Sequence, residues 1–159
     1  MSLPKACRRI QKEINMYQKS PAEFAPRIYV DETNFYNVYF LINGPKGSFY
    51  EGGEYVVLIH LQADYPMSPP DIKMLTPSGR FATNKSICTT FTNFHPESWC
   101  PTYTFNTIIA SFVSFMMDDD VTAVGSIKST AEEKQQTARE SHAYNKNKRY
   151  DEWFRPTLL

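Results

Sequence analysis

Four short runs rich in β-branched and aromatic residues, at 27–31, 35–42, 54–61 and 71–75, leave this chain little freedom in how it folds. Turn formers separate them: Glu32-Thr33-Asn34, then Asn43-Gly44-Pro45-Lys46-Gly47, then the Pro66/Pro69/Pro70 cluster. The connections are too short for crossover helices, and parallel neighbours need about a dozen or more linking residues, so the runs read as an antiparallel meander. Ahead of them, residues 3–17 set Leu3, Cys7, Ile10, Ile14 and Tyr17 along one face of an amphipathic helix, with Pro4 in its first turn. Lys5, Arg8, Arg9 and Lys12 lie on the outer face, where positive charge near a helix N-terminus opposes the macrodipole; a solvated face is the simplest reading. Cys7, on the apolar stripe, reads as a core residue. A helix packed on one face of a meander gives an α+β fold.

Three prolines stiffen Tyr65-Pro66-Met67-Ser68-Pro69-Pro70 and hold Met67 on an exposed tip. Further on, Thr104 can cap a helix in which Phe105, Ile108, Ile109, Phe112, Val113, Phe115 and Met116 occupy nearly every side, so it is expected to be buried. Asp118-Asp119-Asp120 ends it and reads as a solvated stop signal. Thr130-Ala131-Glu132-Glu133 has capping-box form and opens a more polar helix to about Asn145, after which 151–154 add a last turn.

Between the last strand and the buried helix, residues 76–102 hold no apolar repeat of period 2 or 3.6. Loops of that length inside a domain are uncommon unless functional or disordered, and Phe81, Ile87, Phe91, Phe94 and Trp99 argue for order. Cys88 sits near its middle. A protease-like nucleophile there would need a base, and His95 with Asn93 are the nearby candidates. The pattern fits poorly, because papain-like sites start a helix at the cysteine and bring the histidine from a distant element. A metal site is less favoured still: Cys88, His95 and Cys100 lack a fourth ligand and finger-like spacing, so no metal is expected. A partly exposed thiol able to carry an acyl group remains.

At 159 residues the chain is read as a single domain with its core at about 6–145. Seventeen basic against seventeen acidic residues leave no net field for nucleic acid, so no such partner is expected. Three cysteines at uneven spacing fit a reducing compartment rather than a disulfide framework. With no apolar run near the ~20 residues that span a bilayer, the expected location is cytoplasmic and the chain carries no membrane segment, though a longer natural form with an anchor is compatible with it.

From about Ala6 to Asn145 the sequence resembles the ubiquitin-conjugating enzyme family. The markers come in the family's order: CRRIQKEI in the first helix, INGPKGSFYEGGEY between the second and third strands, DYPMSPPDIKM, SIC, then WCPTYTF opening the apolar helix. The branch it looks most similar to is usually tail-anchored in the endoplasmic reticulum membrane and serves protein quality control. Most of the family has a His-Pro-Asn motif with the Asn eight residues before the cysteine, where this chain has Arg80. TPSGRF, Thr83-Asn84 and a later His95-Pro96 leading to Trp99 match the branch. Three extra residues separate Cys88 from Trp99, and Thr89-Thr90 replaces the usual Leu-Ser.

The resemblance implies the UBC fold: N-terminal helix, four-stranded antiparallel meander, long active-site loop, central buried helix and C-terminal helices. It implies that Cys88 takes ubiquitin's C-terminal glycine from the activating enzyme as a thioester and passes it to a substrate amine, with a RING-type ubiquitin ligase, in ER-associated degradation at the cytosolic face of the endoplasmic reticulum. ATP is used by the activating enzyme, so no cofactor is expected here. Without the usual Asn, whose loss costs about 10²–10³ in rate, another oxyanion donor is needed; Asn84, His95 and Asn93 are the candidates, in that order. Arg8, Lys12, Met67, Pro101 and Thr102 match partner-binding positions, and Asp120 or Thr122 the acceptor gate. Two alternatives stand beside this: a catalytically inactive variant that binds ubiquitin or scaffolds a partner, and conjugation of a ubiquitin-like modifier.

Overall fold

The computed structural model describes residues 3–89, 92, 95–119 and 122–155. Helix α1 spans Lys5–Lys19 and is followed by strands β1 (Arg27–Val30), β2 (Asn37–Asn43), β3 (Glu54–His60) and β4 (Asp71–Met74). The sheet order is β1-β2-β3-β4, every pair antiparallel, which is the expected meander and an α+β architecture. After the long loop come α2 (Phe105–Met117), α3 (Ala131–Asn147) and a 3-10 turn at Tyr150–Phe154. No helix among the described residues is long and apolar enough to cross a membrane.

Alternation along the strands sorts side chains onto two faces. Val38, Phe40 and Ile42 of β2 and Val57 and Ile59 of β3 join Ile10, Ile14 and Tyr17 of α1 and the apolar side of α2 in the main core. The opposite face, with Leu41, Val56 and Leu75, is covered by Phe154 and Trp153, whose indole stacks on Tyr29 at 5.3 Å. Both faces are therefore packed, one more than the sequence indicated.

Three details differ from the sequence reading. In α1 the buried face is Ala6, Ile10, Glu13, Ile14 and Tyr17, while Leu3 lies ahead of the first turn and is 61% exposed. Cys7 stands at the edge of that face, half-buried, its Sγ 3.6 Å from the Tyr36 hydroxyl. Ile10, Ile14 and Tyr17 enter the main core, and Glu13 is buried beside them with Arg9 Nη2 3.6 Å from its carboxylate. The third difference is α2. Six residues of it are buried, but Ala110 and Ser114 are exposed, so one side of small residues stays open.

The caps follow the sequence. Thr104 Oγ1 accepts the Thr107 N–H at 3.3 Å. At α3, Thr130 and Glu133 form the reciprocal capping box, at 3.1 and 2.8 Å. The polarity of α3 serves the core: Ser141 Oγ accepts the Glu54 N–H, and Asn145 donates to the Glu54 carbonyl while accepting from Thr76. Those bonds satisfy strand β3 where β4 no longer reaches it.

Candidate active site

Cys88 is held by backbone pairing on two sides. The loop returns along β4, where Ile87 N–H donates to the Ile72 carbonyl at 2.9 Å and Ser86 bridges Lys73. On its other side Cys88 N–H donates to the Val124 carbonyl at 3.0 Å. Extended backbone points neighbouring side chains in opposite directions, so Ile87, fully buried in the core, leaves Cys88 facing outward and half-buried. Gly125 makes the approach of the second segment possible. Its φ is +89°, and a Cβ there would stand 2.6 Å from the Ser86 carbonyl oxygen.

Thr92 is buried and its hydroxyl accepts the Thr89 N–H and donates to the Thr89 carbonyl, both at 3.1 Å. His95 N–H donates to the Thr92 carbonyl at 3.1 Å. With these bonds His95 Nε2 lies 3.0 Å from Cys88 Sγ, while Nδ1 lies 3.2 Å from Glu97 Oε1. The sequence names His95 as a candidate base while the papain-like pattern, with its histidine on a distant element, fits poorly. No distant element is needed, since Cys88 and His95 meet across a separation of seven residues. Hydrogen bonding from its own backbone N–H and from the His95 ring holds the Glu97 carboxyl below the usual range.

Cys88 and His95 open onto a cavity of about 880 Å³ that runs along α2 past Ala110, Ser111 and Ser114 to Thr122 and Val124. Thr122, one of the two gate candidates, lines it; Asp120 and the oxyanion candidate Asn93 lie outside the described residues. Asn84 is exposed, in a left-handed turn with φ 59° and its N–H on the Met74 carbonyl, and does not line the cavity. No group of three or more His, Cys, Asp or Glu among the described residues is placed to hold a metal ion.

Arg80 stands elsewhere. It is 3% exposed and its guanidinium donates to the carbonyls of Phe115, Met116 and Asp118 at the end of α2 and to Ser126 Oγ. Asp119 lies 3.8 Å from it and accepts from the Tyr50 hydroxyl, so this exposed member of the acidic run is a structural partner as well as a solvated stop.

The expected partner positions lie on α1, on the tip after Tyr65 and just before α2. Met67 is 68% exposed on its tip, and Arg8, Lys12 and Thr102 are exposed, with Pro101 half-buried. Three ties that the sequence reading missed join these segments. Arg9 Nη2 donates to the Tyr103 carbonyl at 3.1 Å and its guanidinium lies 5.7 Å from the centre of the Tyr65 ring. Trp99 Nε1 donates to the Pro66 carbonyl at 2.7 Å. The aromatic content of the Tyr65 and Trp99 segments was the available signal.

The ubiquitin-conjugating enzyme family model matches residues 9–151. The chain is 41% identical over 124 residues to "Ubiquitin-conjugating enzyme E2 6" of Schizosaccharomyces pombe, covering 78% of this chain and 54% of that protein. It is 39% identical over 147 residues to "Ubiquitin-conjugating enzyme E2 J2-like" of Dictyostelium discoideum, covering 92% of this chain and 85% of the relative. Thus it spans about half the length of the fission-yeast relative and most of the other. Among solved structures, human ubiquitin-conjugating enzyme E2 G1 aligns with a TM-score of 0.65 at 27% identity, over 74% of this chain and 99% of that one. With the meander, the cysteine loop and the small-residue side of α2 in place, this chain belongs to the ubiquitin-conjugating enzyme family.

Proposed function

We propose that the chain carries ubiquitin as a thioester on Cys88 and transfers it to a protein substrate amine. The observation that carries this reading is the 3.0 Å approach of His95 Nε2 to Cys88 Sγ at the mouth of the cavity along α2. The Cys88 proton passes to Nε2, Sγ attacks the acyl carbon of the thioester presented by the activating enzyme, and the departing thiolate takes up a proton. A substrate amine then attacks the Cys88 thioester, losing a proton as the Cys88 thiolate leaves. Sulfur suits both steps, because the thiolate is a strong nucleophile and a good leaving group.

The protonated ring of His95 supplies an N–H toward the tetrahedral oxyanion, the part that the missing Asn plays in most of the family. His95 is favoured over Asn84 because it lines the cavity with Cys88 and Asn84 does not. An acyl group bound at Sγ must leave the site as a peptide chain, and the cavity beside Ala110, Ser111 and Ser114 has room for an extended one. Thr122, on its rim, acts as the acceptor gate.

The activating enzyme and a RING-type ligase dock on the face formed by Arg8, Lys12, Met67, Pro101 and Thr102. Its ties through Arg9 and Trp99 hold three separate segments in one surface, which supports that assignment. A place in ER-associated degradation, at the cytosolic face of the endoplasmic reticulum, is supported by TPSGRF and the post-cysteine His95-Pro96. Fractionation of the full-length natural protein with endoplasmic reticulum membranes tests the location, and stabilisation of quality-control substrates on its removal tests the role.

Charging tests the reaction. Incubation with activating enzyme, ubiquitin and ATP gives a reductant-sensitive adduct, absent in Cys88→Ala and reductant-resistant in Cys88→Ser. An adduct that persists in Cys88→Ala defeats the reading. A preference for another modifier in competition would move the cargo and keep the chemistry.

A further inference from the structure

We propose that Glu97 is a positioning residue for this acyl transfer: its carboxylate fixes the tautomer of His95 so that Nε2 meets the Cys88 thiol as an acceptor. A neutral imidazole carries one N–H, and an ionised carboxylate can only accept. With Nδ1 3.2 Å from Glu97 Oε1, the ring proton belongs on Nδ1. That leaves the lone pair of Nε2 facing Sγ at 3.0 Å. The other tautomer would aim a lone pair at the carboxylate and make Nε2 a donor to sulfur, a weak acceptor, so that the ring could no longer take the thiol proton. After the thiol proton has moved to Nε2, both ring nitrogens are donors and Glu97 balances the charge on the imidazolium.

The local backbone is built to return this carboxylate to the ring. His95 precedes a 3-10 turn at Pro96–Ser98, with Pro96 fixing φ in its first position and Ser98 N–H donating to the His95 carbonyl at 3.0 Å. Glu97 thereby stands two residues on and folds back over Nδ1. Glu97 stays ionised throughout the range in which histidine titrates, since its own backbone N–H and the His95 ring hold its carboxyl low. The groups that face the ring or share its cavity among the described residues are the Cys88 thiol, the Glu97 carboxylate and, at the end of α2, the Asp118 carboxylate.

The pair is open to solvent, with His95 44% and Glu97 70% exposed, so the effect is smaller than for a buried triad. Loss of the carboxylate is expected to slow charging about 3- to 10-fold near neutral pH, far less than the ~10⁴-fold seen where the orienting acid is buried.

This inference rests on the Cys88 acyl-transfer reading, and two measurements separate the two. The first is nitrogen NMR of the full chain, with the His95 signal assigned by its loss in His95→Gln. In the wild type the neutral ring is expected in the Nδ1–H form, and in Glu97→Gln as a mixture or the Nε2–H form. The second is the rate of Cys88 charging between pH 6.5 and 8.5 for wild type, Glu97→Gln and Glu97→Asp. Glu97→Gln should lag several-fold at the acid end and catch up at the alkaline end, where hydroxide can take the thiol proton in place of the ring. Glu97→Asp, which keeps the charge, should recover most of the loss. An unchanged tautomer in Glu97→Gln, or a rate deficit that is the same at every pH, overturns the proposal. If the wild type forms no adduct at all, the acyl-transfer reading fails, and the NMR comparison still decides what Glu97 does.

Discussion

Arg80 Nε donates to the Met116 carbonyl at 3.2 Å, joining residues 36 positions apart and closing the C-terminus of α2. Its Nη2 adds the carbonyls of Phe115 and Asp118, at 3.2 and 3.0 Å. A helix end presents unsatisfied carbonyls and the negative pole of its dipole, and a planar cation with several donors answers both. The position that holds a catalytic Asn in most of the family therefore carries the cap of the helix that walls the cavity.

Replacing Arg80 should cost stability before it touches chemistry. Arg80→Ala takes the donor away from the Phe115, Met116 and Asp118 carbonyls at the end of α2, and leaving a buried acceptor unsatisfied costs about 1–3 kcal/mol. Arg80→Asn should fare no better and should not accelerate charging of whatever fraction remains folded. Urea unfolding of both variants checks this, and a loss below about 1 kcal/mol would contradict the capping role, since that is the range of surface pairs.

Gly125 links the same region to Cys88. Gly125→Ala places a side chain at φ +89° and drives its Cβ to within 2.6 Å of the Ser86 carbonyl. The segment has to move, and with it the Val124 carbonyl that holds Cys88 N–H. A loss of about 1–3 kcal/mol in unfolding is expected, together with slower charging. Normal charging with normal stability would show that the second support of Cys88 is dispensable.

The meander, the three helices and both threonine caps could be read from the sequence because each is encoded within about ten residues: alternation, turn formers, a hydroxyl ahead of an apolar run. The buried face of α1 was misplaced by Leu3 and Cys7, since a helical period does not say which of two adjoining stripes meets the sheet. The small-residue side of α2 was missed because Ala110 and Ser114 carry little weight in an apolar period, although they are what leaves the cavity open. Cys88 stands out as a candidate through its loop and the family markers. The contact with His95 does not, because it depends on hydrogen bonds inside an irregular turn. Arg80 was noticed only as a departure from a pattern; its partners lie about 36 residues on, at the end of an element whose packing no local rule supplies.

The docking face invites a comparison of neighbours. Arg8 is exposed, whereas Arg9 ties α1 to Tyr103 and lies against Tyr65. Arg8→Ala should weaken binding of the activating enzyme and leave unfolding unchanged; Arg9→Ala should reduce both. Met67→Ala removes an exposed apolar tip and should weaken ligase binding about 10-fold, as loss of a well-seated anchor does, with unchanged melting. Titration calorimetry alongside thermal unfolding distinguishes these outcomes. Equal effects of Arg8→Ala and Arg9→Ala on melting would remove the distinction.

Glu13 gives stability a pH dependence of defined sign. It is 2% exposed at the contact of α1 with the start of α2, its Oε2 3.6 Å from Arg9 Nη2. Burial raises its pKa above the ordinary 4.5, and the opposing influences of Arg9, the Phe105 N–H and Lys12 do not cancel that. The folded chain thus binds this proton more tightly than the unfolded one. The contribution is fully present below about pH 4.5, the unfolded value, and is lost as pH rises through the higher native value. Glu13→Gln resembles the protonated acid in shape and cannot ionise. It should match the wild type in unfolding free energy near pH 4 and become the more stable of the two as pH approaches 7. Urea unfolding of both proteins across that range makes the comparison, and a Glu13→Gln variant that is less stable at pH 7 than at pH 4, relative to wild type, would show that the Arg9 pairing outweighs burial.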